Sequence, residues 1–334
     1  MNSAATIHKD AVIIDAVSPL IERYEYLDLY AKGGVTCVAP TVAALEGPAQ
    51  ALTKISAWLR LLDRRPDLVH VRTAADIERA KAAGKLGILF HFQGTGPIEQ
   101  DLNLVEAYRT LGVRLIQLSY NGKNYVGDGC EERTDAGLSR FGERLIERLN
   151  ENRIIVDVSH TGHRTSMEAM EVSKRPVVFS HSNAKAILDT RRNISEDQAK
   201  AVAKTGGLVG ATLVPFFTVR GCRPTIDNFI SHIDYFVKLI GVDHVGLGLD
   251  FTWTLPPFAS DEVAGRNWQD AVNAGWWDPD NYPKPPHYYP QGMDTPAEMM
   301  NLTEALLKRG YDAEDVKKIL GGNWLRVCRE VWGA

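Results

Sequence analysis

The sequence predicts an α/β fold, a (β/α)8 TIM-like barrel forming a single domain over residues 1–334. Three observations predict it. Eight short apolar runs recur along the chain, most of them are followed by a helix-like segment, and two successive runs end on the same Ser-His pair. Strands alternating with helices imply βαβ units and a parallel sheet. A closed barrel needs about 250 residues plus insertions, which the 334 residues accommodate. No G-x-G-x-x-G follows the first run, so an open dinucleotide-binding sheet lacks its main support.

In chain order the runs are AVIIDAV (11–17), GVTCVAP (34–40), LGILFHFQ (86–93), VRLIQLSY (113–120), RIIVDVSH (153–160), PVVFSH (176–181), GLVGATLV (207–214) and HVGLGLDF (244–251). The β-branched content of the fifth and sixth reads as strands buried on both faces. Each places an imidazole, His160 or His181, at the C-terminal strand end where such barrels carry their chemistry. The two strands are neighbours, so the two rings can converge on one metal ion. In the third run His91 and Gln93 lie two apart and share a face. With Gln93 in the mouth, His91 points into the barrel below it. Asp250 ends the eighth run, where a carboxylate can shuttle a proton or bind a metal. Arg192, in TRRNISED after the sixth run, has the planar fork that suits a substrate carboxylate. The competing reading of Arg192 is a solvated residue at a helix start.

Between the runs, residues 138–152 place Leu138, Phe141, Leu145 and Leu149 on one helical face. Ser195 and Gln198 form a capping box for a helix that ends at Gly206. Thr295, Pro296 and Glu298 open a helix that stops near Gly310, and Asp312 opens a short last helix ending at Gly321-Gly322. Residues 251–290 break the pattern. They have few periodic positions, yet hold four of the seven tryptophans, which argues against disorder. Following the eighth strand, this stretch is expected at the barrel mouth as a lid or substrate wall, with Trp253 touching substrate, or as a contact in a homodimer.

Composition excludes some partners. An apolar fraction of 44%, a charged fraction of 24% and a net charge of −4 suit an ordinary globular protein, and no Lys/Arg run offers nucleic acid a basic patch. The opening MNSAATIHKDAVIIDAV lacks the pattern of a signal peptide, and no apolar stretch nears the ~20 residues needed to span a bilayer. The expected location is the cytoplasm, away from membranes. The four cysteines form no C-x-x-C pair, and Cys37 and Cys328 read as buried thiols.

The strings DVSH, VVFSH, RRNISED, GLGLDF and the closing NLTEALLKRGY…KKILGGNWLRV resemble the renal (membrane) dipeptidase family of metallopeptidases, from about residue 84 onward. The resemblance implies an amidohydrolase-like barrel. It also implies two zinc ions sharing a hydroxide that attacks the peptide carbonyl, and a carboxylate that passes its proton to the leaving amine. By motif match, His160 and His181 correspond to two ligands of one zinc, Asp250 to the proton-shuttling carboxylate and Arg192 to the arginine on the substrate carboxylate. Four positions depart. The first-strand His-x-Asp pair of the family is matched by Val17 and Pro19, the bridging glutamate by Gln93, and the histidine of the fourth-strand motif by Tyr120 in LSYNGKN, with Asn121 beside it expected to bind substrate. An amide is a poorer zinc ligand than a carboxylate.

Three readings follow for a site that takes a small molecule bearing a carboxylate. One is a hydrolase with at most one zinc, on His160 and His181, completed by Asp250, Gln93 or water, with His91 as a further ligand candidate. The second is a metal-independent acid–base enzyme using His160, His181, Asp250 and Tyr120. The third is a binding protein without catalysis.

Overall fold

The computed structural model describes residues 3–333. Ten parallel strands are found among them: β1 (Ile14–Ser18), β2 (Cys37–Ala43), β3 (Leu68–His70), β4 (Leu86–Ile88), β5 (Phe90–Phe92), β6 (Val113–Gln117), β7 (Ile155–Asp157), β8 (Val177–Phe179), β9 (Leu208–Ala211) and β10 (Val245–Leu247). Each of the eight expected runs holds a strand. The third is split: β4 pairs with the first half of β2 (Cys37↔Gly87) and β5 with its second half (Thr41↔His91). The short β3 was not expected; it adds to the outer edge of β4.

The sheet curls from β1 through β2, β5, β6, β7, β8 and β9 to β10. At the seam, Asp250 donates its backbone N–H to the carbonyl of Val17 (3.0 Å), and Leu20 donates to that of Phe251 (2.7 Å). The fully buried Asp15 carboxylate accepts the N–H of Leu249 at 2.7 Å. Burial, with the Asp250 charge adding to it, pushes the Asp15 carboxyl up to about 7.

Ile14, Cys37, Leu89, Leu115, Ile155, Val178 and Leu208 pack with Trp324, Val327 and Cys328 of the last helix, Asn323–Trp332, and close one end of the barrel. Trp324 donates its indole N–H to Leu247 (2.9 Å), and a side chain at Gly246 would meet the indole at 2.8 Å. Two residues further along the strands the same faces carry His91, Gln117, Asp157 and Ser180, all fully buried. The interior thus passes from an apolar floor to a polar layer below the mouth.

The expected caps at Ser195, Thr295 and Asp312 are present. The chain end departs from expectation: Gly321-Gly322 is a kink, and the helix resumes at Asn323. A Cβ on Gly321 would lie 2.4 Å from the carbonyl of Val12, so glycine serves a close approach there and not a stop. Residues 251–290 also hold more regular structure than expected. Ser260 caps a helix over Asp261–Asn273, whose buried face is only Ala264 and Ala271. So thin an apolar stripe leaves little periodic signal.

Candidate metal and hydrolytic centre

Chain topology brings His160 and His181 together. Each follows its strand by two or three residues, and their Nε2 atoms lie 2.9 Å apart. Their outer partners decide where the ring protons sit. His160 Nδ1 is 2.6 Å from Asn121 Oδ1, an oxygen that can only accept, so Nδ1 carries the proton. His181 Nδ1 is 2.7 Å from Ser180 Oγ. That hydroxyl already donates to the Asp157 carboxylate, so it accepts from His181. Asp157 also accepts the backbone N–H groups of Ser159 (2.9 Å) and Ser180 (3.0 Å), which locks both Ser-His strand ends. Both Nε2 atoms therefore present lone pairs to the same point. Burial, then the Arg192 charge, holds both imidazoles well below their ordinary pKa, so both are neutral.

Gln93 completes the cluster. Its Oε1 accepts the Thr41 hydroxyl (3.2 Å), which turns its amide nitrogen toward His181 (3.1 Å) and His160 (3.4 Å). His91 lies beneath, fully buried, with Nε2 3.6 Å from Asp157 Oδ2 and neither nitrogen hydrogen-bonded.

Tyr120 stacks on His160 with ring centres 4.4 Å apart, and its hydroxyl accepts the Trp277 indole N–H (3.1 Å). The Tyr120 proton is thus free to be donated elsewhere. Asn121 is buried, with its amide nitrogen on the carbonyl of Trp276 (2.9 Å) and the hydroxyl of Tyr282 (3.1 Å). The aromatic segment therefore touches the groups around His160, through Trp276, Trp277 and Tyr282. Trp253 does not share in this: it lies under the Arg23 guanidinium (4.4 Å), beside Glu22.

Arg192 is buried, donates to the carbonyl of His181 (3.1 Å) and lies over Phe217 (5.3 Å). Its neighbour Arg191 is exposed and faces Asp278. The two arginines are therefore unlike, and a solvated helix-start role does not describe Arg192. Burial pushes the Asp250 carboxyl up to about 6 against the opposing pull of Arg192. His160 (φ 61°), Asn121 (φ 57°) and Asp250 (φ 59°) all take left-handed backbone, a conformation that non-glycine residues hold only where surroundings enforce it.

Among the described residues no group of three or more His, Cys, Asp or Glu side chains is arranged to hold a metal. The buried Val17 side chain and Pro19 offer no donor atoms, so the first-strand ligand pair of a second zinc site has no counterpart at these two positions. The two converging Nε2 lone pairs are the donors that a single ion would take. Sequence reasoning missed Thr41, Asp157 and Ser180. The last two stand inside the quoted DVSH and VVFSH strings, but their part is visible only once β7 and β8 lie side by side.

The chain is similar to an amidohydrolase from Pseudomonas aeruginosa of known crystal structure, 35% identical, with a TM-score of 0.89 over 100% of both chains. It is 27% identical to the dipeptidase tcpJ of Claviceps purpurea over 292 residues, and 29% identical to the dipeptidase aclJ of Aspergillus oryzae over 281 residues. These stretches take in 86% and 81% of this chain but 61% and 58% of those relatives. A family model described as membrane dipeptidase (Peptidase family M19) matches residues 34–260 and 282–333 and passes over 261–281, the stretch that carries Trp276 and Trp277. With its barrel, its paired Ser-His strand ends and that match, the chain belongs to the membrane dipeptidase family, M19.

Proposed function

We propose that this protein hydrolyses the amide bond of a dipeptide or small amino-acid derivative, with at most one metal ion held by His160 and His181. The observation that carries the proposal is the pair of converging Nε2 lone pairs under the charge of Arg192, in a member of a metallopeptidase family. A bound ion would polarise the scissile carbonyl. The chain's own groups do the rest. Arg192 binds the substrate carboxylate. Asp250, with its raised pKa, takes the proton of the attacking water and passes it to the leaving amine. Tyr120 donates its free hydroxyl proton to the oxygen on which charge develops.

Elemental analysis of protein purified without added metal is expected to give no more than one ion per chain, lost in His160→Ala and His181→Ala. Two tightly held ions would overturn the ligand assignment. With one ion and a neutral Gln93, unmodified L-L and L-D dipeptides are expected to turn over well below the ~10 per second of a typical enzyme. The Gln93 amide, within reach of both lone pairs, favours a second reading in which no metal binds and the histidines act as bases. Complete absence of metal with retained hydrolysis would select it.

Arg192 provides a separate check on the substrate class. Arg192→Lys keeps the charge and loses the fork, so affinity for a carboxylate-bearing ligand is expected to fall about tenfold or more. Arg191→Ala is the control and is expected to leave affinity unchanged. Equal effects at both positions, read by calorimetry, would remove the case for a carboxylate.

A further inference from the structure

The turn over residues 276–282 approaches the histidine pair through Asn121. The Asn121 amide can face His160 with its oxygen or, after half a rotation, with its nitrogen. Its surroundings select the oxygen. The amide nitrogen has the Trp276 carbonyl at 2.9 Å, a group that only accepts, whereas the Tyr282 hydroxyl, 3.1 Å from the nitrogen and 3.2 Å from the oxygen, can serve either end. On the oxygen side the Cys130 thiol, at 3.7 Å, adds a weak donor. The turn is seated by the Glu131 carboxylate, which accepts the N–H of Asp278 (3.1 Å) and the amide of Asn281 (2.7 Å). It is seated further by Trp277, which is stacked on Tyr282 and bonded to Tyr120.

We propose that the 276–282 turn sets the tautomer of His160: the Trp276 carbonyl orients the Asn121 amide, and that orientation decides whether Nε2 of His160 faces His181 with a lone pair or with a proton. With the turn seated, Asn121 Oδ1 accepts a hydrogen bond from Nδ1–H of His160 and both Nε2 atoms offer lone pairs 2.9 Å apart. With the turn lifted, the amide loses its acceptors and rotates to donate to Nδ1. The proton then sits on Nε2 and forms a hydrogen bond to Nε2 of His181, an arrangement already at hydrogen-bond distance. The two states differ by one proton position and one amide rotation. Only the first leaves two lone pairs for a cation. Trp277, stacked on Tyr282, and Glu131 are thus positioning residues that act through the turn, and Trp276, which contributes the orienting carbonyl, lies in the stretch the family model passes over. The inference goes beyond the proposed hydrolysis, since it concerns a proton position that exists with or without substrate.

Long-range 1H–15N correlation spectra of the full-length, 15N-histidine-labelled protein, recorded with a chelator present, read the tautomer directly. The His160 signals are assigned by their loss in His160→Gln. The wild-type protein is expected to show His160 in the Nδ1–H form. The Glu131→Ala/Trp277→Ala pair, which removes both groups that seat the turn, is expected to raise the Nε2–H fraction at least tenfold, and Glu131→Ala alone to move it the same way by less. The single variant keeps the test decisive if the double variant does not fold. A wild-type Nε2–H form, or a wild-type pattern retained in the variants that fold, overturns the proposal. None of these spectra requires hydrolysis, so failure of the proposed reaction and failure of this inference are told apart.

Discussion

Asp157→Ala is expected to lower stability by about 3 kcal/mol or more, a large share of the roughly 5–15 kcal/mol that holds a domain together. The fully buried carboxylate accepts two backbone N–H groups and the Ser180 hydroxyl, and each would be left unpaired at a cost of about 1–3 kcal/mol. Urea unfolding at neutral pH measures the loss; a change within about 0.5 kcal/mol, the range of ordinary surface substitutions, would show that the layer rearranges freely. The carboxylate also makes an acid limit. Burial alone would raise its pKa, but the adjacent His91 ring and the Ser180 hydroxyl outweigh that and bring it down to about 2. A carboxyl depressed in the folded state stabilises fully above its unfolded value, about 3.9. That stabilisation is lost as pH falls toward 2. Asp157→Asn is expected to lose less stability over that interval than the wild-type protein, the remainder coming from other depressed carboxyls such as Asp76 and Asp128. The variant's amide would donate to Ser180, freeing that hydroxyl to donate to His181 and moving the His181 proton to Nε2.

Asp250→Asn is expected to reduce hydrolysis by about 10²–10⁴-fold, the usual contribution of a positioned general base. The backbone of residue 250 is held by Val17 and Tyr289, so the isosteric amide keeps its place while losing the ability to take a proton. In the wild-type protein the rate should rise as pH passes about 6, because a carboxyl raised to that value is protonated, and inactive as a base, below it. The rate is followed on the dipeptide of a panel that turns over fastest. A profile flat across neutral and mildly acid pH, or an Asp250→Asn variant nearly as fast as wild type, would place the base elsewhere.

The strands were legible because alternation of helix with β-branched apolar runs is a local signal, and the paired Ser-His endings marked where two of them deliver side chains. Short β3 carries no such signal: Leu68–His70 is only partly buried and depends on the edge that β4 offers it. The long aromatic segment was legible as ordered and near the mouth, but not which residues it sends inward. Trp253 and Trp277 look equivalent in sequence, and only the folded loop puts one against Arg23 and the other against Tyr120. The histidine pair could be read from strand ends. The atoms that choose its tautomers could not, because Asn121, Ser180 and Asp157 act through contacts between separate strands and loops.

The barrel seam has a consequence for synthesis. Residues 15–20 of β1 and its extension bond to residues 249–251, and the floor below them is filled by Trp324. β1 must therefore wait until β10 and the residues after it are made before its last edge partner exists, with Ile14 and its apolar neighbours lacking their final cover. Contacts of such sequence separation make folding slow and leave sticky intermediates. Nascent chains ending at residue 320 are expected to be cut readily by protease at β1, and chains carrying the last helix to resist. Equal resistance in the two would mean that the seam closes without its floor. An unfinished barrel thus keeps an apolar first edge without cover until residues 323–332 are made.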